Sequence, residues 1–103
     1  MEIVRWTTPS ITYKPEAVEL SDIAQVRLVI AQSPCVEIVK TEAAAVILDG
    51  KLMWRLAQEE TGSLVPKAEA TIKIDYVTTG GLRYAVKGRL VNVTDSAVNG
   101  VIA

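Results

Sequence analysis

Side chains that could act as nucleophiles, bases or metal ligands are few in this chain. It contains no histidine and a single cysteine, Cys35. A catalytic thiol needs a base or a neighbouring cation to become a thiolate, and without histidine only Lys or Arg could assist it. The carboxylates of Glu59 and Glu60 are adjacent, so on a helical turn they would point about 100° apart and could not flank one bond. We therefore predict that the protein is not an enzyme.

The remaining acidic residues do not form a pattern that would hold a metal ion. Asp22, Asp49, Asp75 and Asp95 are spread along the chain, whereas a calcium loop needs several oxygens at alternating positions that converge on one ion. Because the chain has no histidine, it cannot form a histidine-based zinc site, and its one cysteine cannot supply a cluster of thiolate ligands. We expect no metal and no cofactor.

The charge balance also limits the kinds of partner. Eleven basic residues oppose twelve acidic ones, which gives a net charge of -1, and nucleic-acid binding needs a surplus of positive charge to neutralise phosphates. Arg83, Lys87 and Arg89 lie along one predicted strand, with Lys73 expected on its neighbour. We interpret this basic strip as a solvated sheet face and expect no nucleic-acid partner.

Membrane association and export are not indicated by the sequence. The longest apolar run, Ala43 to Leu48, is much shorter than a membrane span, and the N-terminus has no apolar run of signal-peptide length. We expect a soluble protein that folds in a reducing cytosol, with no membrane partner. A lone cysteine is compatible with that reducing compartment.

Three residues near the N-terminus are candidates for binding a partner protein. Trp6 stands beside Arg5, and Trp and Arg are enriched among the anchors of protein interfaces. Capping of the core is the favoured interpretation of Trp6, and a role as an interface anchor stays open as the alternative. Tyr13 is the third candidate, because an exposed Tyr or Trp can provide a stacking surface. A mean hydropathy of +0.27 is high for a domain of this size and suggests that another chain covers some apolar surface.

Composition predicts the fold class. Val, Ile and Thr together account for 32 of 103 residues, while Phe is absent, and β-branched side chains suit the pleated surface of a sheet better than a helix. A chain of this length can bury a single core without disulfides. We predict one all-β domain spanning residues 1–103.

Alternation of apolar and polar residues locates the strands. It predicts an edge segment at 2–6 and strands at 10–14, 25–32, 35–41, 45–48, 51–56, 68–78 and 82–94. Residues 57–63 lack the alternation and end on a glycine, so they are predicted to form one helical turn that crosses between sheets. About seven short strands favour an antiparallel, immunoglobulin-like β-sandwich, with a partly open barrel as the alternative.

Two local signals specify the strands further. Asp49-Gly50 predicts a type I′ turn, because both central residues of that turn need positive φ, and this hairpin places Trp54 at the centre of the core. In the last strand, Leu82, Tyr84 and Val86 share one face while Val91 and Val93 have the opposite parity. A β-bulge near Gly88 is therefore predicted, since it would bring both sets inside.

Several segments, taken in order, resemble small prophage-encoded proteins of Gram-positive bacteria. The resemblance spans nearly the whole chain, and the crossover Gln58-Glu59-Glu60-Thr61 is its most specific part. The matching segments are 5–9, 21–23, 26–32, 56–61, 93–95 and 100–102. The sequence departs from the family pattern at Trp6 and at Ala57.

These prophage proteins are similar to the immunoglobulin-like N-terminal domain of phage upper baseplate proteins. The resemblance implies a non-enzymatic structural or assembly protein of a phage, associated with the tail or baseplate. It would be made in the bacterial cytoplasm, and it would either enter the virion or only help to build it. Its partners would be other phage structural proteins or further copies of itself. The alternative function is a small ligand-binding or carbohydrate-binding β-sandwich that uses Trp6, Tyr13 or Tyr84 as its stacking surface, and of these three only Trp6 and Tyr13 are expected to be exposed.

Overall fold

The computed structural model describes residues 2–16, 18–32, 36–97 and 100–102. These residues form eight strands, one short helix and two 3₁₀ turns, at 20–22 and 42–44. The helix is α1 (Gln58–Gly62). The strands are β1 (Glu2–Val4), β2 (Ser10–Tyr13), β3 (Ile23–Gln32), β4 (Val36–Thr41), β5 (Val46–Leu48), β6 (Lys51–Arg55), β7 (Ala68–Thr78) and β8 (Arg83–Thr94). The prediction of an all-β domain is confirmed.

The strands form two sheets, and one pairing differs from the prediction. The large sheet has the order β1-β8-β7-β3-β4 and the small sheet has the order β2-β6-β5. All pairs are antiparallel except β1 with β8, where Glu2–Val4 lie beside Asn92–Thr94 in parallel. The large sheet is therefore mixed and not purely antiparallel. A parallel pair is possible here because β1 and β8 come from opposite ends of the chain, so no tight turn has to join them.

Both sheets contribute to a single hydrophobic core. Trp54 on β6 is completely buried, and its indole Nε1 donates a hydrogen bond to the carbonyl oxygen of Thr41 at 3.1 Å. This confirms the prediction that Trp54 is a central core residue. The other buried apolar residues are Ile3, Ile11, Val26, Leu28, Ile30, Ile38, Leu52, Leu56, Leu64, Ala70, Ile72, Ile74, Tyr76, Val91 and Val93.

The two predicted hairpins are present. Strands β3 and β4 pair antiparallel from Arg27 opposite Thr41 to Gln32 opposite Val36, and the predicted turn between them, with Cys35, lies outside the described residues. Strands β5 and β6 pair with Leu48 opposite Lys51. The connecting residues Asp49 and Gly50 have φ values of 53° and 73°, as a type I′ turn requires.

The predicted bulge in the last strand is also present. Between Ile72 and Ile74 on β7, the opposite residues on β8 change from Arg89 to Val86. Strand β8 thus contains one extra residue at Lys87–Gly88, which reverses the side-chain parity. As a result, Tyr84 and Val86 on one side of the bulge and Val91 and Val93 on the other all pack against the same core.

The prediction that Leu82 belongs to this strand and shares its inward face is wrong. Strand β8 begins at Arg83, and Leu82 is 61% exposed. The carbonyl oxygen of Leu82 accepts a hydrogen bond from the backbone N–H of Thr78 at 2.9 Å, and its own N–H donates to the Thr78 hydroxyl at 3.1 Å. Leu82 is therefore the last residue of the turn between β7 and β8.

Helix α1 makes the predicted crossover and is anchored by Glu60. One carboxylate oxygen of Glu60 accepts the backbone N–H of Ala57 at 2.8 Å, and the other contacts Lys40 Nζ at 2.8 Å. Burial works against ionisation, but the hydrogen bonds from Lys40 and Ala57 outweigh it and lower the pKa of Glu60. The Glu60 carboxylate therefore caps the helix and joins it to β4.

Candidate functional site

Arg5 joins three parts of the fold at the N-terminal end. Its Nη1 contacts Asp95 Oδ1 at 2.6 Å, and its Nη2 donates to the carbonyl oxygen of Gly62 at 2.9 Å. Its backbone N–H also donates to the carbonyl oxygen of Thr94 at 2.8 Å. The guanidinium thus connects β1, α1 and the end of β8. These contacts use one N–H of each terminal guanidinium nitrogen, while the Nε–H is buried without a hydrogen-bond partner among the described residues.

Trp6 packs directly on helix α1. An alanine Cβ built at Gly62 would lie 2.5 Å from Trp6 Cζ3 and 2.6 Å from Cδ2, so the indole ring rests on the bare backbone of the helix. The guanidinium carbon of Arg5 lies 5.8 Å from the ring centroid, within the range of a cation–π contact. This geometry favours the interpretation of Trp6 as a cap on the core over that of an interface anchor.

Tyr13 lies in a different group of contacts, so the three predicted interface residues do not form one site. Its ring centroid is 6.2 Å from that of Tyr76, which stacks on Tyr84 at 5.2 Å. Burial, together with Tyr76 and the nearby Glu16, raises the pKa of Tyr13 to about 12. The Tyr13 ring is therefore engaged in packing between the two sheets.

A spectrophotometric titration can check the environment of Tyr13. Because the folded-state pKa is raised from 10.0 to about 12, the neutral phenol stabilises the fold, and that contribution is lost as the pH rises from 10 through 12. We expect one of the three tyrosines to ionise near pH 12 in the folded protein, and the Tyr13→Phe variant to lack that step. If Tyr13→Phe leaves the latest ionisation step unchanged, this assignment is wrong.

The most prominent exposed apolar surface is strand β5. Val46, Ile47 and Leu48 are 55%, 64% and 53% exposed, although they are consecutive aliphatic residues. Among the described residues β5 pairs with β6 alone, so it forms an edge of the small sheet. Sequence reasoning did not identify this site, although the signal was visible in the apolar run from Ala43 to Leu48, which lacks the alternation of a half-buried strand.

The other sheet edges are protected and β5 is not. Natural proteins protect edge strands with charged residues or prolines, which hinder pairing with another chain. The other edge strands are β1, β4 and β2: β1 carries the exposed Glu2, β4 carries Glu37 and Lys40, and β2 lies between Pro9 and Pro15. Residues 46–48 contain no charge, no proline and no bulge. We therefore take β5 as the candidate interface.

A second surface feature is a groove of about 410 Å³ on the outer face of the large sheet. Arg27, Lys73 and Arg83 line it from three adjacent strands, together with Asp75. Arg83 Nη2 contacts Asp75 Oδ2 at 2.7 Å. Part of the predicted basic strip, Lys73 and Arg83, therefore lies here. Because the groove also holds carboxylates, it does not concentrate positive charge strongly.

Searches for other kinds of site give little. Within residues 2–16, 18–32, 36–97 and 100–102, no group of three or more Cys, Asp or Glu side chains is placed to hold a metal ion. In the same residues no helix is long and apolar enough to cross a membrane. No protein-family model, curated protein or solved structure matches this chain.

Proposed function

We propose that this chain is a non-enzymatic phage structural or assembly protein, associated with the tail or baseplate, that works by binding other proteins. The observation that carries the proposal is the unprotected apolar edge of β5, where three consecutive aliphatic side chains are more than half exposed. Exposed apolar strands of this kind favour association with another chain. The resemblance to small prophage-encoded proteins supplies the phage context.

The proposed mechanism is strand addition at β5. An incoming strand would complete the backbone hydrogen bonding of the small sheet, and its side chains would cover Val46, Ile47 and Leu48. Two sheets that share one core fit the immunoglobulin-like β-sandwich that the resemblance implies. The protein would be made in the bacterial cytoplasm and then act during particle assembly or as part of the virion.

The alternative function, binding of a carbohydrate or another small ligand, has less support. Its stacking surface was expected at Trp6 and Tyr13, but the first ring rests on Gly62 and the second packs beside Tyr76. Both rings are half-buried. Both residues are fractionally less exposed than Val46, Ile47 and Leu48 on β5.

The test is quantitative mass spectrometry of particles produced after prophage induction in the source bacterium. Three versions of the gene are compared: native, Ile47→Lys, and Val39→Lys as a matched control. Val39 is a β-branched residue, 44% exposed, on the edge strand β4 of the other sheet. We expect native protein and Val39→Lys to support particle formation equally. Ile47→Lys places a charge on the interface and should fail to support it.

The readouts are the number of particles and the copies of this protein per particle. A fixed copy number would identify a virion component. Presence only in the lysate, with particle yield dependent on the gene, would identify an assembly factor. The proposal is wrong if deleting the gene leaves particle yield and composition unchanged.

A further inference from the structure

The hairpin geometry determines which backbone groups β5 presents at its open edge. In a hairpin closed by a two-residue type I′ turn, the residues that flank the turn exchange both hydrogen bonds with each other. Leu48 and Lys51 are that pair. Because the direction of the backbone groups alternates along a strand, Ile47 directs its N–H and C=O away from β6, toward the open edge.

The next outward amide along the chain is already used. Ala45 has the same parity as Ile47, and its N–H donates to the carbonyl oxygen of Glu42 at 3.2 Å. Within residues 46–48, the open edge therefore offers one donor and one acceptor, both on Ile47. A residue that offers one donor and one acceptor side by side is complementary to the same residue on an antiparallel strand.

We propose that the partner of β5 is a second copy of this chain, paired antiparallel through β5 about a twofold axis at Ile47. The two small sheets would join into one six-stranded sheet with the order β2-β6-β5-β5-β6-β2. This arrangement is an isologous interface, the commonest form of symmetric association. The inference rests on the function proposed above and specifies the partner at the same edge.

The side chains and charges are compatible with this register. Pairing about Ile47 places Val46 of each copy opposite Leu48 of the other, and Ala45 opposite Asp49, so no like charges oppose each other. Ile47 lies on the same face as the buried Leu52, its neighbour on β6, yet is 64% exposed. The two Ile47 side chains would therefore contact each other and extend the core across the axis. A net charge of -1 adds little repulsion between copies.

The small size of the interface predicts a weak dimer. Three residues per copy bury less than the roughly 1,000 Å² expected of a stable interface. We expect dissociation constants in the micromolar-to-millimolar range, on the order of 10⁻⁵ to 10⁻³ M. Such pairing becomes complete when copies are held close together, as they would be in an assembled particle.

Disulfide cross-linking tests the register. In a Cys35→Ser background, Ile47→Cys would face its own copy with a Cα separation of about 5.5 Å, which suits a disulfide. Val46→Cys would instead face Leu48 of the other copy, which offers no thiol. We expect Ile47→Cys to form dimers more than about tenfold faster than Val46→Cys or Leu48→Cys alone. When the Val46→Cys and Leu48→Cys variants are mixed, they should form disulfide-linked dimers that contain one copy of each. Equal rates for the three single variants would overturn the proposed register.

Sedimentation equilibrium at concentrations up to about 1 mM tests the association itself. Native protein and Val39→Lys should show a mass that rises with concentration, whereas Ile47→Lys should stay monomeric. Circular dichroism checks that each variant is folded, and Ile47→Thr, which retains a β-branched side chain, provides a milder second variant. A native protein that stays monomeric would overturn the inference. If Ile47→Lys nevertheless abolishes particle assembly, the proposed function stands and the partner of β5 is a different protein.

Discussion

Replacing Trp54 with alanine is expected to lower the free energy of unfolding by about 3–5 kcal/mol, the usual loss for a large aromatic removed from a core. Trp54 is completely buried where the two sheets meet. The substitution removes its packing and also leaves the Thr41 carbonyl without the indole donor. Because a domain of this size has about 5–10 kcal/mol in total, most of the stability would be lost.

Urea denaturation of two control variants separates these contributions. Trp54→Phe keeps most of the ring volume and loses the hydrogen bond to Thr41, so it should cost about 1–2 kcal/mol. Met53→Ala removes the neighbouring, half-buried side chain and should cost less than Trp54→Ala. A loss below about 1 kcal/mol for Trp54→Ala would contradict the placement of Trp54 at the centre of the core.

Replacing Gly62 with alanine is expected to cost about 2–3 kcal/mol or more, because overpacking forces neighbouring groups to shift. The added Cβ would lie 2.5 Å from Trp6 Cζ3, well inside van der Waals contact. Trp6 would have to move away from α1. Such a movement would also disturb Arg5, which binds the Gly62 carbonyl oxygen.

Thermal and urea unfolding of three further variants make this test specific. Gly80→Ala is the matched control, since its nearest neighbour would be Thr78 Oγ1 at 3.8 Å, and its effect should stay within about 1 kcal/mol. In a Trp6→Ala background, Gly62→Ala should cost much less, because the clashing ring is gone. The same cost in both backgrounds would show that the contact between Trp6 and Gly62 is not the cause.

Local sequence patterns predicted the strands, two hairpins and the bulge, because the formation of each of these features is determined by residues that are close together in the sequence. Parity predicted a bulge near Gly88, since Val86 and Val91 could not otherwise share one face. Parity also places Gln32 on the inward face with Leu28 and Ile30. Gln32 is buried, and its side-chain amide satisfies both backbone groups of Val65, at 2.5 Å and 2.8 Å.

Pairings between distant segments were not predictable in the same way. Strand β1 is three residues long and has no clear alternation, so nothing in its sequence indicates a parallel pairing with β8. The open edge of β5 was missed for a related reason. A run of aliphatic residues predicts burial, whereas the sequence does not show where the core ends. The close approach of Trp6 to Gly62 likewise depends on the tertiary fold.

If the open edge of β5 is the surface by which this protein associates, its backbone amides should change on assembly. Amide-resolved hydrogen exchange can compare the isolated chain in dilute solution with the assembled state. In the isolated chain, the Ile47 amide should exchange faster than those of Val46 and Leu48, which face β6. On assembly the Ile47 amide should become protected. The Ile47 amide could instead exchange equally fast in both states while amides at another edge, such as β4, become protected. That result would contradict a role for the β5 edge in association.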